Sequence, residues 1–102
     1  MNQATGIEIG RFRLKSDVSE QTMRSVYSQM VDKYLSQQPG WCAQYLVTLQ
    51  EGVFVDLAFA ASQAQAQAIC ASWQGNKLCE DFLALIEPVS MEFGSVNRAA
   101  SE

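Results

Sequence analysis

Between Gly6 and Lys15 the run IEIGRFRLK alternates in polarity and is rich in branched and aromatic side chains, the two-residue period of a strand. Asp17 with Glu20 three positions on has capping-box spacing, and Met23, Val26, Tyr27, Met30 and Tyr34 then recur on one helical stripe. That predicts a helix from about Val18 to Gln37, stopped by Pro39 and Gly40. Trp41 to Gln50 and Val53 to Ala60 read as two strands about the two-residue turn Glu51-Gly52. Ser62 with Gln65 repeats the capping spacing, so the alanine-glutamine tract opens a second helix with Ile69 and Trp73 on its buried side. Gly75-Asn76 interrupts it; Leu78, Phe82, Leu85 and Ile86 mark a separate short helix, and Pro88 precedes a last strand of about Val89 to Val96. The polar tail from Asn97 to residue 102 is expected to fray.

The order strand, helix, strand, strand, helix, strand is the ferredoxin-like βαββαβ pattern of the α+β class, with the second helix split. It implies one domain over residues 1–102, with its core at about 6–96, and a four-stranded antiparallel sheet whose first and third strands are central. Alternation sorts the strand residues onto two faces. Phe12, Leu14, Tyr45, Val47, Val55, Leu57, Phe59, Met91 and Phe93 are expected under the helices. Ile7, Ile9, Arg11, Arg13, Cys42, Gln44, Leu46, Thr48, Phe54, Asp56, Ala58, Glu92 and Val96 fall on the other face. That second set is too apolar for a solvated face and carries charges of both signs, which points to a homodimer with Arg11, Arg13, Asp56 and Glu92 between subunits.

With 102 residues the chain buries only about two thirds of its unfolded surface, so a further interface would stabilise it. Eleven acidic against seven basic side chains leave a net charge of -4, which disfavours nucleic acid and anionic membrane surfaces as partners. RNA-recognition modules share the order of elements, but IEIGRFRL and VFVDLAFA lack their stacking aromatics and basic face. No apolar run approaches the ~20 residues of a membrane span and the start has no signal-peptide character, so a cytoplasmic setting is expected. The chain has no histidine, which removes the usual imidazole base, zinc ligand and haem ligand. Cys42, Cys70 and Cys79 form no Cys-x-x-Cys pair, and without a histidine none is an activated nucleophile. No phosphate loop or metal motif is present, so neither a cofactor nor a metal is expected.

Glu8 shares strand parity with the helix-side set; enclosed there it would have a raised pKa and serve as a general base, whereas at a strand edge it would be an ordinary surface residue. Phe12, Leu57, Phe59 and Met91 on the sheet, facing Met23, Tyr27, Met30 and Tyr34 on the first helix, form either a closed core or the wall of an apolar slot. Small Ala64, Ala68 and Ala71 on the second helix, with Trp73 beyond them, would leave room for an elongated lipid-like guest. An acidic end of such a guest would meet the hydroxyls of Tyr27 or Tyr34, or the helix start at Asn76 and Lys77.

The order of elements, the Pro39-Gly40 entry to the second strand and the split second helix together resemble the dimeric α/β-barrel superfamily, to which antibiotic-biosynthesis-type monooxygenases belong. The resemblance spans about Gly6 to Val96 and implies two sheets packed face to face in a dimer, with a pocket between each sheet and its helices. Many members carry Trp at the end of the third strand before a Ser-x-x-x-Ala helix start; here FAASQAQAQA has Phe59 and Ser62. Haem-degrading relatives use a histidine that this chain lacks, and FLALIEPVSMEF is similar to uncharacterised members. Two functions follow: a binding protein for an elongated apolar small molecule, and, as the resemblance implies, a cofactor-independent oxygenase or isomerase with Glu8 or a tyrosine managing the proton.

Overall fold

A computed structural model of the chain describes residues 4–100; residues 1–3 and 101–102, including the end of the tail expected to fray, lie outside the described residues. The strands are β1 (Gly6–Leu14), β2 (Trp41–Thr48), β3 (Phe54–Ala60) and β4 (Ile86–Ser95), and the helices are α1 (Glu20–Lys33), α2 (Gln63–Ala71) and α3 (Lys77–Leu83). All pairings are antiparallel and the sheet order is β2-β3-β1-β4, so β1 and β3 are central as the sequence predicts.

Each helix starts where a side chain can satisfy a free backbone N–H. Ser19, not Asp17, caps α1 by accepting from the Thr22 N–H at 3.0 Å, and Glu20 pairs with Arg24 one turn on at 2.6 Å. Ser62 caps α2 through the Gln65 N–H at 3.1 Å, and Asn76 caps α3 through the Cys79 N–H at 3.1 Å. Met23, Tyr27 and Met30 turn one stripe of α1 onto the sheet, while Phe82 meets the rings of Phe12, Tyr27 and Trp73 edge-on at 5.5, 5.5 and 6.2 Å. Phe12 also stacks on Phe54 across the strands at 5.6 Å.

Two glycines fix where the elements meet. A Cβ on Gly6 would lie 2.2 Å from the Ser62 carbonyl oxygen, so only glycine lets β1 come this close to the start of α2. Gly40, at φ 86°, makes the left-handed corner into β2 and faces the Gln65 side chain.

Two boundaries move. The first helix ends at Lys33 and a short 3-10 turn over Leu35–Gln37 carries the chain toward Pro39. Ile86 belongs to β4, opposite Leu14, and Pro88 lies inside that strand rather than ahead of it. It is tolerated because β4 is an edge strand and the register shifts beside it, between Arg11 and Phe12.

The larger correction concerns the β2–β3 hairpin, which is turned over as a unit. Registering Gly10 against Asp56 and Phe12 against Phe54 places Phe54, Asp56 and Ala58 on the helix side, with Gln44 and Leu46 of β2 beside them. Tyr45, Val47, Val55, Leu57 and Phe59 therefore lie on the open face, with Ile7, Ile9, Arg11, Arg13 and Glu92. Leu57 and Phe59 accordingly do not sit under the helices, and Asp56 does not lie on the face expected to pair between subunits. A period of two gives no absolute direction, and here both faces of the hairpin are apolar. The inner face takes the smaller residues, Ala58 and the buried Ala60, which let α2 approach, and Asp56 is buried there against a hydrogen-bond partner on α1.

Candidate functional site

Glu8 and Asp56 reach the same side of the sheet from neighbouring central strands, one register step apart across Gly10. Both are buried, each 5% exposed, which is costly for carboxyl groups. Asp56 is well provided: its Oδ1 accepts from the Tyr27 hydroxyl at 2.7 Å and from Gln44 Nε2 at 2.9 Å. Burial nonetheless pushes its pKa up, against the pull of those two bonds, and burial next to Asp56 pushes the Tyr27 hydroxyl far up as well. Tyr27 is therefore a fixed donor and not a base.

Glu8 is less well provided. Among the described residues no backbone N–H, hydroxyl or cationic side chain bonds its carboxyl, and the polar neighbour that favours its charge is the Cys70 thiol. Burial, then the field of Asp56, raises its pKa from 4.5 to about 7, with the thiol opposing. Cys70, whose Sγ lies 3.7 Å from Met91 Sδ, is itself pushed up to about 12 by burial and by Glu8, and Cys79 to about 11 by burial, so both are protonated thiols at neutral pH.

Beside these groups lies a cavity of about 300 Å³ between the β1–β4 half of the sheet and the ends of α2 and α3. Its lining includes Glu8, Gly10, Phe12, Asp56, Cys70, Trp73, Phe82, Ile86, Pro88 and Met91. The missing side chain of Gly10 makes much of that room: a Cβ there would meet nothing nearer than the Asp56 carbonyl oxygen at 4.0 Å. Arg11 reaches the rim, but its Nη1 is turned to Glu92 Oε1 at 2.9 Å. Among the described residues no three His, Cys, Asp or Glu side chains gather to hold a metal ion.

Of the residues singled out from the sequence, Glu8, Phe12, Trp73 and Met91 are brought together in this wall. Met23 and Met30 are wholly buried core and Tyr27 is committed to Asp56. The Tyr34 hydroxyl donates to the Ser72 carbonyl oxygen at 3.2 Å, Asn76 is spent as a cap, and Lys77 pairs with Asp81 on the surface of α3. None of them opens onto the cavity. Ala64, Ala68 and Ala71 lie on the solvent side of α2, so the small residues expected to leave a slot leave none; Ala66 is the buried alanine. Arg11 and Glu92 form an ion pair within one chain on the open face, and Arg13 Nη1 donates to the Glu51 carbonyl oxygen at 2.5 Å. Gly10, Gln44 and Cys70 were not read as site residues, and Asp56 was read as one only for the subunit interface, not for this cavity. A lone acid and a lone amide inside two apolar strands, VFVDLAFA and WCAQYLVT, were the available signal for Asp56 and Gln44 to pack inward.

The fold is that of ferredoxin-like α+β proteins with a four-stranded antiparallel sheet, a class that includes antibiotic biosynthesis monooxygenases. Among solved structures the chain is similar to SnoaB, a cofactor-independent oxygenase from Streptomyces nogalater, at 14% identity and a TM-score of 0.77 over 98% of this chain and 100% of that one. It is also similar to an antibiotic biosynthesis monooxygenase, at 18% identity and TM-score 0.64 over 93% of this chain and 99% of the other. A dimeric ferredoxin-like protein from an uncultured marine organism matches at 12% identity and TM-score 0.64, over 98% of this chain and 94% of its own. A protein of unknown function from Nitrosomonas europaea shares the fold as well. No protein-family model and no curated protein matches the chain. No helix among the described residues is long and apolar enough to cross a membrane.

Proposed function

We propose that the chain is an acid–base enzyme of the cofactor-independent oxygenase or isomerase kind, in which Glu8 removes a proton from a compact, uncharged, weakly acidic aromatic molecule held in the cavity. The carrying observation is a buried carboxyl in an apolar wall whose pKa sits near neutrality, which is where a general base works best. Glu8 takes the proton from a phenolic O–H or an enolisable C–H and becomes neutral, so the charge inside the cavity is conserved and passes to the substrate. The resulting anion, shielded from water by Phe12, Trp73 and Phe82, is the electron-rich form that reacts with dioxygen or is reprotonated elsewhere. The likeness to SnoaB supports the first outcome by analogy of fold.

An elongated acid-ended ligand fits less well. About 300 Å³ is at the lower end for small-molecule sites, and a carboxylate guest would meet two acids and no free cation. Oxygen uptake and solvent-deuterium incorporation with a panel of polycyclic phenols and anthrone-like ketones test the proposal. Turnover should rise through an apparent pKa near 7 and fall by about two orders of magnitude or more in Glu8→Gln; equal rates in wild type and variant would remove Glu8 from the chemistry.

The open face is proposed to pair with a second copy of the chain. Ile7, Ile9, Tyr45, Val47, Leu57 and Phe59 lie there together, with the Tyr45 and Phe59 rings edge-on at 6.0 Å, and a dimeric protein of this fold is among the similar structures. A cytoplasmic setting is part of the same proposal.

A further inference from the structure

The cavity has an electrostatic character that a site for neutral weak acids does not require. Its wall carries two carboxyl groups, and the cation among its lining residues, Arg11, is paired with Glu92 rather than with either of them. Among the described residues Asp56 uses Oδ1 for both of its bonds and no hydrogen bond engages Oδ2, while Glu8 has the Cys70 thiol beside it and no N–H or O–H donor. The other titratable groups near Glu8 are the Tyr27 hydroxyl from α1 and the Cys70 thiol from α2, both neutral, and Arg11 from β1 at the rim, already neutralised by Glu92 of β4. The charges of α3 look elsewhere: Lys77 pairs with Asp81, and Glu80 accepts from the Gly75 N–H at 3.2 Å. Around the acids stand the rings of Phe12, Phe82 and Trp73.

We infer that this cavity is a binding site for a compact primary ammonium with an apolar body, of the arylalkylamine class, its nitrogen held by Glu8 and Asp56 and its body against Phe12, Phe82 and Trp73. A primary ammonium offers three donors to carboxyl oxygens that, apart from the weak Cys70 thiol beside Glu8, have no donor of their own. The aromatic faces add attraction for a cation and apolar contact for the rest of the guest. An anion would have to enter beside two acids, and a neutral alcohol would answer one acceptor and leave the others. The site needs only the cavity and its two acids, so it stands apart from the proposed proton abstraction; turnover of phenols is not required for it.

The sign of the pH dependence follows. The ammonium is charged throughout pH 5.5 to 8.5, whereas Glu8 ionises near 7, so binding tightens as pH rises and releases a proton when it occurs below that value. Calorimetric titration of the purified wild-type chain with 2-phenylethylamine, 2-phenylethanol and 3-phenylpropionate, at both ends of this range, decides the matter. At the upper end the amine should bind about tenfold or more tightly than the alcohol, the size expected of a charge-assisted contact, and the carboxylate should not bind. At the lower end that preference should shrink severalfold, and Glu8→Gln should lose it at every pH. Gly10→Val, whose added methyls enter the cavity, should weaken all binding. The inference is overturned if the alcohol or the carboxylate matches the amine at high pH, if the preference is independent of pH in the wild type, or if none of the three binds. Those readouts concern the wild type alone and stand even where a variant fails to fold.

Discussion

Glu8 makes a quantitative claim about stability that needs no substrate. Its carboxyl titrates near 4.5 in an open chain and near 7 in the fold, so the folded state binds the proton more tightly. A group of this kind stabilises the fold fully below its unfolded pKa, and the contribution is lost as pH rises through the folded value. The window is therefore pH 4.5 to 7, and the difference of about 2.5 units corresponds to about 3 kcal/mol lost between the two ends. Asp56, also raised by burial, adds a loss of the same sign. The chain has no histidine, so the other contributions of this sign come from Asp56 and, at the alkaline end, from the Cys70 and Cys79 thiols, and the difference between wild type and Glu8→Gln isolates Glu8. Urea unfolding followed by tryptophan emission from pH 5 to 8.5 should show stability falling with pH, with a melting temperature of the order of 10 °C lower at the alkaline end. Glu8→Gln should be flatter and, above pH 7, more stable than the wild type by up to about 3 kcal/mol, since the amide carries no charge to desolvate. A wild-type profile that is flat or rises over this window, or a variant that keeps the full slope, would refute the reasoning about Glu8.

Two further outcomes concern the frame of the site. Gly6→Ala forces a Cβ against the Ser62 carbonyl and should cost about 3 kcal/mol or more, with α2 displaced and protease sensitivity raised around residues 60–65, readable by limited proteolysis; unchanged stability would mean that the approach of β1 to α2 relaxes freely. On the open face, light scattering at micromolar concentration should give a mass twice the chain's for wild type and a single chain for Leu57→Glu, because an unpaired charge at the centre of an apolar interface costs several kcal/mol; a wild-type monomer would end the pairing proposal.

The sequence carried the order of elements well because its punctuation is chemical: Pro39-Gly40, Glu51-Gly52 and the caps at Ser62 and Asn76 each do a local job that the fold retains. Glu8 was legible for the same reason, since strand β1 has one clear polarity alternation and its inward partner Phe12 is unambiguous. The hairpin was not. In VFVDLAFA the odd positions hold the larger apolar side chains and so look like the core set, but bulk on the outer face and small residues under α2 is what the packing adopts. Only the third dimension tells that Tyr27 needs an acceptor and that Asp56 is it. The helix break at Gly75-Asn76 was legible, but the place of the cavity was not, because it depends on an absence, the side chain of Gly10.

The two buried acids do not carry equal functional weight, and the hydrogen bonds separate them. Asp56 is explained as architecture: it ties α1 to β3 through Tyr27 and braces β2 through Gln44, and such satisfied networks are common in cores. Glu8 has only the weak Cys70 thiol of α2 to bond with. A carboxyl whose sole bonding neighbour is a thiol, that costs about 3 kcal/mol when ionised, and that lines a cavity beside a glycine is poorly accounted for by stability alone. Glutamine or an aliphatic residue in its place would make a more stable fold above neutral pH. The combination of a removable cost and an open space is the physical argument that Glu8 is retained for what enters the cavity, whether the guest yields a proton to it or brings a cation.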